Sequence, residues 1–204
     1  MKLRLTSLLA PVSLLLAASL LIGQEATGPG GEKSVKPGIN ERFLGPELKV
    51  DDWLKRFEVE SRETFFERHK VVESCGIKKG MAIADIGAGT GLYTRLFAKE
   101  TGPDGWVYAV DISAPFLKHI VARAQQEGQQ NISAILSPEN VTPLPANSLD
   151  MAFICDTYHH FEYPKGTMDS LLRALKKGGA LVVIDFERIE GKTRKWTMGH
   201  VRAG

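Results

Sequence analysis

The chain has 204 residues, of which 43% are hydrophobic and 25% are charged. That is enough for one domain with a substantial core and too little for two large domains. Its 26 basic and 24 acidic residues leave a net charge of +2, and no basic block carries interleaved aromatic residues. Composition therefore gives no support to nucleic-acid binding.

Residues 1–23 have the pattern of an export signal. Lys2 and Arg4 precede an apolar run from about Leu5 to Ile22, the order of a positive n-region followed by an apolar h-region. We favour a cleaved signal peptide, and an uncleaved membrane anchor is the rival interpretation because the run is long for an h-region. We expect the protein to be exported, periplasmic or extracellular, or else anchored by its N-terminus, with no other membrane contact.

Residues 24–46 are rich in glycine, proline and charge, which predicts a flexible linker. In residues 47–75, aromatic and aliphatic residues recur at helical spacing among many charges, which predicts a helix. Residues 47–204 are then predicted to form the folded domain.

From residue 81 onward, strands and helices alternate. This alternation indicates βαβ units with right-handed crossovers and a mostly parallel sheet, so the fold class is α/β. We predict strands over 81–87, 106–112, 132–136, 149–156 and 180–186, and helices over 91–100, 113–128 and 164–179. Lysines and Gly178 are expected to end the last of these helices.

The two cysteines, Cys75 and Cys155, are expected to remain unpaired. Cys75 precedes the first strand, whereas Cys155 ends a later one. In a parallel sheet these positions lie at opposite edges, beyond the reach of a disulfide. We predict buried free thiols.

A glycine-rich stretch, ADIGAGTG at residues 84–91, joins the first strand to the next helix. Glycines there let backbone N–H groups approach a ligand closely. The spacing G-x-G-x-G differs from the dinucleotide fingerprint G-x-G-x-x-G, which disfavours a nicotinamide-dependent oxidoreductase. The lysine motif of phosphate-binding loops is also missing, which excludes nucleotide hydrolysis.

Asp111 ends the second strand, 20 residues after Gly91. A carboxylate at this place accepts hydrogen bonds from the adjacent hydroxyls of a ribose. The alternative is a cap of the following helix, shared with Ser113.

Together, the motifs D-I-G-A-G-T-G and V-D-I-S and the segment PLPANSLD resemble those of class I S-adenosylmethionine-dependent methyltransferases. The resemblance implies a Rossmann-like three-layer sandwich and S-adenosylmethionine as the cofactor. It also implies cofactor contacts from the first two loops, at Asp85, Gly87, Ala88, Gly89, Thr90, Gly91, Asp111 and Ile112.

The loop after the third strand is where the family places an acidic residue against the adenine amino group. An aspartate is missing from the usual place, so Glu139 or Asn140 is expected to substitute. A solvated loop without cofactor contacts is the alternative. Related enzymes also cover the cofactor with an N-terminal helix, and Glu60, Arg62 and Glu63 then either reach the site or form a solvated face.

The fourth strand ends in CDTYHHFEYP, where an open α/β sheet binds its ligands. We expect Asp156, Tyr158, His159 and His160 to face the reacting centre, with Asp156 also near the cofactor. Either histidine is a candidate base for an acceptor that arrives protonated, and the alternative is that one of them only packs against the sheet. No metal site is predicted, because adjacent histidines point apart and a third ligand is not evident.

The resemblance implies methyl transfer from S-adenosylmethionine to an unidentified acceptor, for which we favour a small molecule. The alternative is a methyltransferase-like module that binds the cofactor without turnover. The family's domain has seven strands, and five are predicted here. We therefore expect the last strands to be missing, as in a fragment, and an apolar sheet edge to be left open.

Overall fold

The computed structural model describes residues 31–187 and residue 190. Its centre is a five-stranded sheet in which every neighbouring pair is parallel. The strand order is β3-β2-β1-β4-β5, with β1 at Ala82–Ile86, β2 at Trp106–Asp111, β3 at Ile132–Leu136, β4 at Leu149–Cys155 and β5 at Leu175–Ile184.

Seven α-helices accompany the sheet in the described residues. Four precede β1, namely α1 at Glu41–Leu44, α2 at Val50–Phe57, α3 at Glu63–Phe66 and α4 at Arg68–Ser74. The other three connect strands, namely α5 at Leu92–Thr101, α6 at Ala114–Gln126 and α7 at Pro164–Ala174.

Helices cover both faces of the sheet. Alternate residues of a strand point to opposite faces, so Phe153 of β4 packs with Phe97 of α5, while Ile154 packs with Leu171 of α7. All four side chains are fully buried. This double coverage explains the continuous apolar strands and confirms the predicted three-layer α/β sandwich.

The strand predictions for β1 to β4 agree with the structure to within one residue, but the end of α7 does not. The helix stops at Ala174, and the lysines predicted for its last turn lie in β5. Lys176 is held there by Asp150 of β4 at 2.8 Å. The register between β4 and β5 shifts between Leu149 and Met151, which accommodates the extra residues of β5 as a bulge.

The single helix predicted over 47–75 is wrong, since the chain is broken into α2, α3 and α4. Arg62, which precedes α3, has extended backbone angles. Its side chain and that of Thr64 both donate hydrogen bonds to Asp156, and the Tyr93 hydroxyl donates to the Thr64 carbonyl at 2.6 Å. These tertiary contacts override the helical pattern.

Residues 31–46, predicted as part of a flexible linker, are packed on the domain. The Glu32 carboxylate accepts the backbone N–H groups of Lys165 and Gly166 at the start of α7. The Val35 N–H donates to the Glu162 carbonyl at 3.0 Å. The linker prediction is corrected for this stretch, whereas residues 24–30 lie outside the described residues.

The predicted export signal, residues 1–23, also lies outside the described residues. Within residues 31–187 and 190, no helix combines the length and apolar character needed to cross a membrane. Cys75 and Cys155 are free, as predicted, but half-buried rather than fully buried.

Candidate active site

A cavity of about 230 Å³ opens at the carboxyl ends of the strands. It lies at the boundary between β1 and β4, where the direction of the strand order reverses. From β1 the chain continues to β2 on one side, and from β4 it continues to β5 on the other. This switch point is where open α/β sheets bind their ligands. Parallel strands thus bring the glycine loop, the end of β2 and the loop after β4 to one place.

The glycine loop forms one wall of the cavity. Gly87 and Gly89 have positive φ angles of 68° and 54°, which side chains rarely adopt. A Cβ atom added to Gly89 would have no neighbour closer than 3.7 Å, the ring of Phe57. The backbone at Gly89 is therefore open to a ligand, and Ala88 and Thr90 also line the cavity.

Gly91 was expected to contact the cofactor, but it is not among the residues lining the cavity. It has a φ of 77°, and a Cβ atom there would lie 2.6 Å from Cγ1 of Ile120 in α6. The third glycine permits close packing of the loop against α6.

Asp111 is buried at the end of β2 and lines the cavity together with Ile112. One carboxylate oxygen accepts the Gly89 N–H and the other accepts the Ser113 N–H, both at 2.8 Å. Asp111 thus fixes the glycine loop and also begins α6. The Ser113 side chain makes no capping hydrogen bond. Of the predicted cap of α6, only the contact between the Asp111 carboxylate and the Ser113 backbone N–H is therefore present.

Asp85 lies beneath the loop and is buried. The Thr94 hydroxyl donates to its carboxylate at 2.6 Å. Burial, with a smaller contribution from the charge of Asp111, raises the pKa of Asp85 to about 7 against the opposing hydrogen bond from Thr94. Burial likewise raises the pKa of Asp111 to about 6, despite its backbone hydrogen bonds. A cation bound close to them would favour the ionised form of both carboxyl groups.

The loop after β3 contributes Glu139 to the cavity, whereas Asn140 is not among the lining residues. The Asn140 carbonyl packs against α7, where a Cβ atom on Gly166 would lie 2.6 Å from it. Glu139 accepts a hydrogen bond from the Asn40 side chain at 2.7 Å, and burial raises its pKa. Of the two candidates for the adenine side, the structure brings only Glu139 to the cavity.

Asp156 follows β4 with a φ of 51°, an uncommon conformation for a residue with a side chain. Its carboxylate accepts hydrogen bonds from the Arg62 guanidinium, the shorter at 2.5 Å, and from the Thr64 hydroxyl at 3.2 Å. Arg62 also stacks over the Phe57 ring at 4.7 Å. The segment before β1 is thereby tied to the end of β4 across the cavity.

His159 and His160 both line the cavity, but Tyr158 does not. The Tyr158 ring packs on Phe161 at 5.3 Å, in the core beneath α7, so the geometry gives its predicted catalytic role no support. His159 is buried and pairs through Nδ1 with Asp185 at 2.6 Å. In residues 31–187 and 190, no cluster of three or more histidine, cysteine, aspartate or glutamate residues is arranged to hold a metal ion.

An aromatic roof, which we define as Phe43, Trp53, Phe57 and Phe116, partly covers the cavity. Trp53 lies 4.9 Å from Phe43 and 5.1 Å from Phe57, measured between ring centroids. Phe43, Phe57 and Phe116 line the cavity, as does the buried Asn40. Sequence reasoning missed Asn40 and Phe43, because both lie in the stretch predicted as a linker.

Known proteins match this chain over the region that builds the site. Residues 84–183 match the family described as a methyltransferase domain. The ubiquinone/menaquinone biosynthesis C-methyltransferase of Pseudomonas paraeruginosa is 32% identical over 118 residues, which are 57% of this chain and 46% of that relative. A S-adenosylmethionine-dependent methyltransferase of Aquifex aeolicus superimposes with a TM-score of 0.64 at 28% identity, covering 74% of this chain and 81% of that one. Residues 84–183 belong to the methyltransferase-domain family, and the fold is that of S-adenosylmethionine-dependent methyltransferases.

The chain differs in length from its relatives, and its fold is shared by an enzyme with another reaction. The chain spans about half the length of the curated relatives it matches. Its fold is also shared by a [4+2]-cyclase, with a TM-score of 0.52 at 22% identity over 56% of this chain and 42% of that one. The residues of the site, rather than the fold, determine the reaction, because one fold hosts several chemistries.

The residues that line the cavity fit S-adenosylmethionine, the family's cofactor. The cofactor carries a ribose with two hydroxyls, an ammonium group and a sulfonium centre. The open backbone at Gly89 admits it without a side chain in the way. Asp111 lines the cavity with a carboxylate, a group that can accept hydrogen bonds from ribose hydroxyls. Asp85 also lines it, as a carboxyl group that a nearby cation would ionise.

Asp85→Asn should flatten the dependence of stability on pH. The folded pKa of Asp85, about 7, is above its value of about 4 in an unfolded chain. The folded state therefore binds more protons between these values, and the free energy of unfolding of the wild type should fall as pH rises from about 4 to 7. Asparagine does not titrate and its amide oxygen can accept the Thr94 hydroxyl.

The measurement is the Tm of both proteins in steps across that pH range. Asp111 titrates in the same window and is present in both proteins, so the difference between the two curves reports Asp85 together with its coupling to Asp111. Parallel curves would contradict the raised pKa of Asp85.

Proposed function

We propose that this methyltransferase transfers the methyl group of S-adenosylmethionine to a small-molecule acceptor. The observation that carries the proposal is that a single cavity joins the glycine loop and Asp111 to His159 and Asp156. When bound, the cofactor supplies an electrophilic methyl group on sulfur. The chain's own residues hold the acceptor in line with that methyl group and exclude water.

A small acceptor is supported by the shape of the cavity. The aromatic roof and the Arg62–Asp156 pair partly cover the strand ends, which leaves a half-open cleft rather than a flat face. Three aromatic rings of the roof line it, so a planar, largely apolar acceptor fits its chemistry. The relative from Pseudomonas paraeruginosa is named for C-methylation in quinone biosynthesis, and hydroquinones are therefore the first acceptors to test.

The experiment incubates the full chain with S-adenosylmethionine and a panel of hydroquinones and phenols. Mass spectrometry follows both S-adenosylhomocysteine and the methylated acceptor. We expect one acceptor class to give equal amounts of the two products. Binding of S-adenosylhomocysteine without methylation of any panel member would favour the alternative of a cofactor-binding module, and no binding by a folded protein would reject both.

A further inference from the structure

Asp185 and His159 form a buried pair at the edge of the cavity. Asp185 directly follows β5, whereas His159 belongs to the loop after β4, and the pairing of these strands brings the two together. One carboxylate oxygen lies 2.6 Å from His159 Nδ1, and the other accepts the His159 backbone N–H at 3.0 Å. Their side chains are only 10% and 7% exposed.

The ionisation of Asp185 determines the state of the ring. Burial acts to raise the pKa of Asp185, but the hydrogen bond and charge of His159, with the backbone N–H groups of Phe186 and His159, outweigh it and lower the pKa. An ionised carboxylate can only accept hydrogen bonds, so Nδ1 of a neutral His159 must carry the proton. The proton-accepting nitrogen of the ring is then Nε2.

We propose that Asp185 is a positioning residue that fixes His159 as the base for the acceptor, an inference that rests on the proposed function. In the step, Nε2 of His159 takes the proton of an acceptor O–H or acidic C–H, and the electron pair of that bond stays on the acceptor. The acceptor then forms a bond to the methyl carbon while the carbon–sulfur bond breaks, and that electron pair goes to sulfur. The Asp185 carboxylate stabilises the imidazolium that results.

The neighbouring histidine has a different environment. His160 packs edge-on against Phe43 of the aromatic roof at 5.4 Å, and its backbone carbonyl accepts the Asn40 side chain at 3.0 Å. The observation that favours His159 of the two candidates predicted from sequence is its pairing with the Asp185 carboxylate.

The first test is spectroscopic and needs no acceptor. Nitrogen-15 NMR of the full chain, recorded over a series of pH values, reports which ring nitrogen carries the proton in the neutral ring, and His159→Gln assigns the signals. We expect Nδ1 to be protonated in the wild type. Asp185→Asn should shift protonation to Nε2, because an amide NH₂ donates to Nδ1, while Asp185→Glu should restore the Nδ1–H form. Asp169→Asn removes an exposed carboxylate outside the cavity and serves as the control.

The second test is kinetic, with the hydroquinone methylated by the wild type. Loss of general base catalysis typically costs about 10²- to 10⁴-fold, so His159→Gln should lower kcat by about that factor. Asp185→Asn should lower kcat by roughly 10-fold or more, with little change in the KM for S-adenosylmethionine. Calorimetric binding of S-adenosylhomocysteine confirms that each variant is folded.

The outcomes separate this inference from the proposed function. A wild-type His159 protonated at Nε2, or an Asp185→Asn variant with unchanged spectrum or unchanged kcat, would overturn the role of Asp185. If the wild type binds no S-adenosylhomocysteine or methylates no acceptor, the proposed function fails and the base role fails with it. The Asp185–His159 pairing is then judged by the NMR result alone.

Discussion

Asp111→Ala is expected to weaken the binding of S-adenosylmethionine by roughly 100-fold or more. Hydrogen bonds to a charged group contribute about 1.5–3 kcal/mol each, and each 1.4 kcal/mol is tenfold in affinity. The substitution removes the carboxylate that we expect to accept hydrogen bonds from two ribose hydroxyls. It also removes the acceptor of the Gly89 and Ser113 N–H groups, so the glycine loop loses the contact that fixes it.

The measurement is calorimetric titration of the full chain with S-adenosylhomocysteine. Asp111→Asn keeps the size of the side chain and one acceptor oxygen, and should lie between the wild type and Asp111→Ala in affinity. Asp169→Asn changes the net charge equally at an exposed site and should bind as the wild type does. A folded Asp111→Ala protein, judged by its circular dichroism, with unchanged affinity would remove Asp111 from the cofactor site.

The sequence predicted the sheet well because both of its faces are covered. Strands such as β4 must then be apolar at nearly every position, which makes them conspicuous between the polar connections. The carboxyl ends of parallel strands also meet at one edge of the sheet. The sequence therefore predicts that Gly89, Asp111 and His159 lie close together. All three line the cavity.

The N-terminal segment was not predictable in the same way. Its breaks depend on Arg62 reaching Asp156, which is 94 positions away in the chain, and local spacing carries no signal of such a contact. The position of Asp185 at the cavity was not predicted for another reason, because the strand predicted over 180–186 includes this residue. It lies just beyond β5, and the rule that places His159 at the strand ends also places Asp185 beside it.

Gly87→Ala is expected to lower the free energy of unfolding by about 2–5 kcal/mol. A left-handed backbone costs a residue with a side chain about 1–2 kcal/mol, and Gly87 has a φ of 68°. The new Cβ atom would also lie 2.2 Å from Cγ2 and 2.5 Å from Oγ1 of Thr157. Overpacking of this kind adds typically about 1–3 kcal/mol, since Thr157 is held by the backbone around it.

Gly89→Ala is the matched control for the glycine loop. It imposes a similar backbone cost at a φ of 54° but meets no atom closer than 3.7 Å, so its stability should fall by only about 1–2 kcal/mol. Its methyl group enters the cavity beside Phe57 and should weaken S-adenosylhomocysteine binding more than it weakens the fold.

Urea denaturation separates the cost of the left-handed backbone from the cost of the clash with Thr157. The variants compared are Gly87→Ala, Gly89→Ala and the double variant Gly87→Ala/Thr157→Ala. Thr157→Ala removes the two nearest atoms and leaves its own Cβ at 2.8 Å, so it should recover part of the stability lost in Gly87→Ala. Equal losses in the two single variants, with no recovery in the double variant, would mean that backbone strain alone requires glycine at 87. Recovery would show instead that the close approach of the β1 and β4 loops requires it.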